Sequence, residues 1–183
     1  MKGKIAEIFE STQGEGIYLG KKQIFVRFYG CNLACEFCDT KLDTFSEYTP
    51  EGLFDKLRQY PRDYHSVAFT GGEPLLQKGF LKAVLKLTKK AGMLNYLETN
   101  GALPNELKEV IDLVDIIAMD LKLPTSTHTR DLWDKHRKFL KIALRKEVFL
   151  KAVICRSTQE QDIQKGIELI KETKKRLALV LQP

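Results

Sequence analysis

The chain has 183 residues, with 30 Lys and Arg against 24 Asp and Glu, for a formal net charge of +6. A composition 43% hydrophobic and 30% charged is that of an ordinary globular protein, and the length suits one domain, residues 1–183, around one core. No apolar run reaches the ~18 residues of a membrane helix, and Met1–Glu10 lacks the apolar stretch of a signal peptide, so a cytoplasmic protein is expected. The surplus lysines (Lys82, Lys86, Lys89, Lys90; Lys171, Lys174, Lys175) spread over several helical faces without interleaved aromatics. They read as a solvated surface and exclude a nucleic-acid platform.

Taken in order, apolar and β-branched runs alternate with amphipathic stretches. Strands are predicted at 23–28, 66–69, 94–98, 116–121, 148–154 and 177–181, and helices near 50–59, 78–91, 104–113, 132–144 and 159–173. Pro104 suits the first turn of the third helix. Strand–helix alternation implies parallel strands joined by right-handed crossovers. About six βα units are too few for a closed eight-stranded barrel, so the expected fold is α/β, a partial, open TIM-like barrel. The polar punctuation falls at strand C-termini: Gly30-Cys31, Thr70-Gly71-Gly72-Glu73-Pro74, Glu98-Thr99-Asn100-Gly101, Asp120-Leu121-Lys122 and Gln182-Pro183. Parallel barrels build their active sites there.

Three of the four cysteines crowd into positions 31 to 38 as C-x3-C-x2-C (Cys31, Cys35, Cys38), and Cys155 stands far off in an apolar run. A disulfide framework would spread its cysteines and belong to a secreted chain; a tight triplet in a cytosolic one points to a metal site. Thiolates suit zinc and iron–sulfur clusters alike. Structural zinc wants four ligands, whereas three local thiolates can hold three irons of a cubane and leave the fourth open. Cys155 reads as a small buried hydrophobe. His65, His128 and His136 read as surface residues, and Trp133 as a helix anchor.

The triplet, with Phe37 before its last cysteine, resembles the signature of the radical S-adenosylmethionine superfamily, and Gly71-Gly72-Glu73-Pro74 resembles that family's GGEP motif. The resemblance implies a 4Fe–4S cluster on Cys31, Cys35 and Cys38. It also implies S-adenosylmethionine on the open iron, cleaved by one electron to a 5′-deoxyadenosyl radical. On the same ground the cofactor is expected against Phe37, Cys38, Asp39, Gly71, Gly72, Glu73, Thr99, Asn100, Asp120, Lys122 and Gln182. The electron would come from a donor such as flavodoxin or ferredoxin.

The segment Ile8-Phe9-Glu10-Ser11-Thr12-Gln13-Gly14-Glu15-Gly16, with Phe25-Val26-Arg27-Phe28 and Cys38-Asp39-Thr40, is similar to the 7-carboxy-7-deazaguanine synthase family. That family converts 6-carboxy-5,6,7,8-tetrahydropterin to 7-carboxy-7-deazaguanine, on the way to queuosine and related deazapurines, with Mg²⁺ as a further cofactor. The implied substrate contacts are Thr12, Gln13, Gly14, Glu15, Arg27 and Thr70, with Thr40 as the Mg²⁺ ligand. The chemistry is reasonable: Gln13 and Glu15 can meet a donor-rich pterin edge, Arg27 can fork onto a carboxylate, and Thr40 offers Mg²⁺ a hard oxygen. The family also implies a possible homodimer and, usually, a short segment after the LQP-like strand that these 183 residues lack. Asp120-Leu121-Lys122 stands where the family often has Ser-Pro-Lys and looks like the glycyl-radical activating enzymes, such as the activator of anaerobic ribonucleotide reductase. Such an activase is the alternative reading; a small non-catalytic zinc or iron–sulfur protein is a third.

Overall fold

A computed structural model describes residues 1–38, 40 and 43–183. Among these residues eight strands form one open sheet in the order β3-β1-β2-β4-β5-β6-β7-β8. They are β1 (Gly3–Thr12), β2 (Lys22–Phe28), β3 (Ser46–Tyr48), β4 (Ser66–Gly71), β5 (Asn95–Thr99), β6 (Ile116–Asp120), β7 (Glu147–Val153) and β8 (Leu179–Gln182). Strands β2 and β4 to β8 are parallel, each in register with the next. These are the six strands that the apolar runs predict. The helices are α1 (Pro50–Leu57), α2 (Lys78–Lys90), α3 (Pro104–Val110), α4 (Pro124–Thr127), α5 (Trp133–Ala143) and α6 (Glu160–Glu172). The sheet is open, as expected of a partial barrel.

Strands β1 and β3 and the short α4 are additions to the sequence expectation. β1 runs antiparallel to β2 and β3, with a register shift between Ile5 and Glu7. Its charges at Lys4, Glu7 and Glu10 fit a strand near the sheet edge that is only half covered, and the irregular register breaks the period-two pattern that would reveal it.

Alternation along each strand sends side chains to opposite faces. On the convex face Ile24, Val26, Phe28, Val67, Phe69, Leu97, Ile117, Met119 and Leu150 pack with helix residues such as Leu53, Leu81, Leu85, Leu107 and Phe139 in the main core. A smaller core on the concave face joins Phe25, Ala68, Tyr96, Ile116, Ala118 and Phe149, with Phe9, Tyr18 and Val180 against it. That aromatic cluster fills the barrel interior and is the floor on which the site stands. Among the described residues, no helix is long and apolar enough to cross a membrane.

Two sequence expectations fail. His136 is buried on α5, not exposed; its period places it among Phe139, Leu140 and Ala143 on the core face. Burial holds its imidazole down, to about 4. Cys155 is exposed: β7 ends at Val153, so the residue lies in the following turn instead of in the strand's apolar run.

Candidate active site

The floor dictates what lies above it. Two residues beyond Phe25, Ala68, Tyr96, Ala118, Phe149 and Val180, on the same face of six parallel strands, stand Arg27, Thr70, Glu98, Asp120, Lys151 and Gln182. An apolar layer is thus followed by a polar ring at the strand C-termini. Glu98 accepts from Thr70 Oγ1 (2.6 Å) and Gln13 Nε2 (2.9 Å). Lys151, with 3% of its surface exposed, reaches Glu15 at 2.6 Å, Asp120 at 3.6 Å and Glu98 at 4.0 Å. Lys122 pairs with Asp120 at 3.1 Å. Burial opposes charge on Asp120, but Lys122 and Lys151 outweigh it and hold the carboxyl below its usual range. Burial likewise opposes charge on Lys151, and Asp120, Glu98 and Glu15 outweigh it, so the ammonium is held well above its usual range.

A cleft of about 740 Å³ opens over this ring. Glu15, Thr70, Glu98, Asp120, Lys151 and Gln182 line it, and so do Cys31, Cys35, Phe37, Cys38, Thr40, Gly71, Gly72, Thr99, Asn100, Lys122 and Cys155. All three thiols of the triplet therefore face the space that the polar ring faces. Cys38 N–H donates to the Cys35 carbonyl in a tight turn (3.1 Å), and Glu36 N–H donates to the Thr127 carbonyl, which pins the thiol loop to α4. Burial pushes the Cys31 and Cys35 thiols up, and Lys122 works against it in both. Phe37 lies under the Lys122 ammonium, 5.4 Å from ring centroid to Nζ. A separate hollow of about 440 Å³ between β1, β3 and α1 has none of these thiols.

The Gly-Gly-Glu-Pro turn is welded to the thiol loop. Gly72 N–H donates to the Phe28 carbonyl and Glu73 N–H to the Gly30 carbonyl. A Cβ on Gly72 would overlap the Gly30 carbonyl, and Gly71 holds φ +109 against the Phe28 backbone. The close approach these glycines permit is therefore between two backbones of this chain. The Glu73 side chain lies beneath the cleft, fully buried, and accepts from Leu75 N–H, Thr99 Oγ1 and Asn100 N–H. Burial raises its carboxyl to about 7, against those hydrogen bonds.

The remaining expected positions divide. Gln13 is buried, with its amide spent on Gln23, Glu98 and the Glu15 N–H. Thr12 and Gly14 are exposed and outside the cleft lining. Arg27 belongs to the ring by register but leans to β1, pairing with Glu7 at 3.4 Å with its guanidinium over Phe9. Asp39 lies outside the described residues. Glu98 and Lys151 are the residues that sequence reasoning missed. The signal was present: a lysine inside the apolar run Val148–Ile154, and a carboxylate at the same face position one strand step above the floor.

Lys151 is the hub of that network, so its loss leaves Glu98 without its cation, takes one of the two cations from Asp120, both carboxylates being largely buried, and frees the exposed Glu15. Breaking a buried pair from one side costs about 3–5 kcal/mol. Lys151→Met is therefore expected to lower the melting temperature by roughly 6–20 °C for a chain of this size, and Glu98→Gln in the same protein to recover part of the loss. Calorimetry of the three proteins checks this; an unchanged melting temperature in Lys151→Met would remove the hub.

An open parallel half-barrel with three clustered thiols and a polar ring at its C-terminal mouth is the architecture of an enzyme built around a thiolate-bound cluster. The sequence pattern of the Radical SAM superfamily matches residues 25–176. The 7-carboxy-7-deazaguanine synthase of Geobacter sulfurreducens is 36% identical, over 98% of this chain and 81% of that protein. The enzyme of the same name from Methanothermobacter thermautotrophicus is 34% identical, over 100% and 83%. In fold, the chain is similar to the crystal structure of QueE from Escherichia coli, with a TM-score of 0.58 at 20% identity over 99% of this chain and 94% of that one. It is also similar to TYW1 with a lysine–pyruvate adduct bound, with a TM-score of 0.64 at 18% identity over 88% and 65%. The chain belongs to the radical SAM superfamily and, within it, to the 7-carboxy-7-deazaguanine synthase family.

The residues fit the cofactors that membership brings. Among the described residues no three His, Cys, Asp or Glu side chains converge as ligands of a single ion would. A cubane asks for something else, one thiolate on each of three irons, and three thiols spaced around one cleft wall can provide that.

Proposed function

We propose that the chain converts 6-carboxy-5,6,7,8-tetrahydropterin to 7-carboxy-7-deazaguanine, a ring contraction of the carbon–nitrogen lyase type. The observation that carries this reading is the polar ring of Thr70, Glu98, Asp120 and Lys151 facing the thiol triplet across one cleft. Its volume, about 740 Å³, lies in the range of small-molecule sites. The cluster and S-adenosylmethionine, when bound, supply the radical that begins the reaction. Cys31, Cys35 and Cys38 would hold the cluster. Gly71, Gly72, Phe37, Thr99, Asn100, Asp120, Lys122 and Gln182 would flank the cofactor, with Glu73 supporting them from below.

The chain's own residues then bind and orient the substrate. Glu15 and Glu98, both beside Lys151, accept hydrogen bonds from the donor-rich edge of a pterin, with Thr70 and Gln13 fixing Glu98. Arg27 turns from Glu7 to the substrate carboxylate and there makes a bidentate pair. Likeness to the family supports a cytoplasmic homodimer reduced by flavodoxin or ferredoxin. The test is anaerobic reconstitution followed by assay with the carboxypterin and, separately, with a glycyl-radical partner protein. Formation of the deazaguanine supports the reading; activation of the partner with no pterin turnover overturns it.

Thr40 lines the same cleft and is the proposed Mg²⁺ ligand. A neutral hydroxyl cannot by itself hold Mg²⁺ against water, so substrate oxygens must complete the site. Mg²⁺ affinity is then expected to be poor without substrate and to rise with it, because linkage is reciprocal. Thr40→Val is expected to lose Mg²⁺ stimulation of turnover yet still cleave S-adenosylmethionine without substrate. Calorimetry of Mg²⁺ binding and turnover against Mg²⁺ concentration check both; full stimulation in the variant would reject the ligand.

A further inference from the structure

We infer that Asn100 is a positioning residue for the cluster: its side-chain amide donates to the Cys31 sulfur and sets how readily that corner accepts an electron. Asn100 follows β5 and is 5% exposed. Its Oδ1 accepts from Ala102 N–H at 3.0 Å, which fixes the amide orientation. Nδ2 is thereby turned to the thiol loop, where it donates to Asn32 Oδ1 at 2.8 Å and meets Cys31 Sγ at 3.9 Å. The two hydrogens of Nδ2 serve these two acceptors. Leu33 N–H approaches the same sulfur at 3.5 Å, so Cys31 lies between two donors.

The backbone of Asn100 is clamped from both sides by fully buried groups. Its N–H donates to Glu73 Oε2 at 2.9 Å. Its carbonyl lies 3.1 Å from His136 Nε2, and since a carbonyl can only accept, Nε2 carries the proton. Gly101 holds φ +68 with the Met119 side chain and the His136 ring against the place of a Cβ, so the turn that presents the amide has one shape. Such rigidity exceeds what an amide facing open solvent needs. It suits a donor that must keep one distance to a sulfur while the cluster changes charge.

Reduction puts negative charge onto the cysteine sulfurs, and an N–H donor stabilises the reduced form more than the oxidised one. Hydrogen bonds to the sulfurs are among the levers that set cluster potentials. Losing the amide should therefore lower electron affinity on the order of tenfold, which is about 59 mV for a one-electron couple.

The inference rests on the cluster assignment and not on the substrate, so the experiment uses reconstituted protein without S-adenosylmethionine or pterin. Iron content and an EPR-monitored redox titration are measured for the wild type, Asn100→Ala and Asn32→Ala. In Asn100→Ala the expected result is full iron with a midpoint shifted negative. In Asn32→Ala, where the amide keeps only the sulfur as acceptor, the midpoint should stay or move positive. Full iron with an unmoved midpoint in Asn100→Ala overturns the inference. So does an equal negative shift in both variants, which would mean a general disturbance of the loop, or loss of iron in Asn100→Ala while Asn32→Ala retains it, which would make the residue a scaffold only. Failure of the wild type to hold about four irons would instead count against the cluster reading.

Discussion

Cys35→Ala is expected to leave anaerobic reconstitution with little or no cubane iron, and Cys155→Ala with the full complement of about four per chain. Both residues line the same cleft. The Cys155 thiol is the more acidic by environment: the hydrogen bond with Ser157, then that with Thr158, brings it down to about 7, whereas burial pushes Cys35 up. Thiolate character alone would favour Cys155 as a ligand. Place decides the other way. Cys31, Cys35 and Cys38 share one short loop, fixed to α4 through Glu36 and closed by the Cys38-to-Cys35 turn. Cys155 sits outside that loop, in the turn after β7, its sulfur engaged with Ser157, Thr158 and the Ser126 carbonyl. Equal loss of iron from the two variants, read by iron assay and the cluster's visible absorption, would overturn the three-cysteine assignment.

Gly72→Val should be as damaging, for a reason that lies in the backbone. A cofactor-approach role alone would let the cluster survive this substitution and lose only S-adenosylmethionine affinity. The structure gives a different expectation. The Cβ of any residue at 72 meets the Gly30 carbonyl and crowds the Cys31 N–H, both backbone atoms that cannot swing aside. The thiol loop must move, breaking the hydrogen bonds of Gly72 to Phe28 and Glu73 to Gly30. Strain of this kind in a packed region typically costs 1–3 kcal/mol or more. Iron uptake and cofactor binding are expected to fail together in Gly72→Val, whereas Gly14→Ala, with nothing within 4 Å of its Cβ, keeps its iron. Normal iron with selectively weak cofactor binding in Gly72→Val would show that the contact between the two loops is dispensable.

These two cases show how far the sequence could be read. The six parallel strands and their helices were legible because apolar runs and amphipathic periods alternate, and because polar motifs punctuate the strand ends. The thiol triplet and the glycine pair announced themselves by spacing. What stayed hidden depended on long-range partners. β1 is stabilised by β2 and β3, not by its own pattern. Glu98 and Lys151 acquire meaning only when parallel registers align them with Thr70 and Asp120. The second role of Gly72, as the point where two loops touch, and the burial of His136 behind Asn100 are facts of packing that no local window contains.

The ion pair between Glu15 and Lys151 has a consequence for how the molecule comes together. The two residues are 136 positions apart in the chain, and Gly16 rests against Phe149 beside them. Contacts of such separation carry the largest loop-closure cost and are paid for only after the intervening βα units have docked in turn. Local hairpins and neighbouring strand pairs can therefore form early, while the mouth of the barrel stays open until β7 has joined the sheet. Thr70 and Glu98 can meet once β4 and β5 pair, whereas Glu15 and Lys151 are among the last to find one another. A nascent or partly folded chain would present its thiol loop before the full charged ring that faces it exists, and the loop stays within reach afterwards, since Cys31 and Cys38 are exposed in the folded protein too.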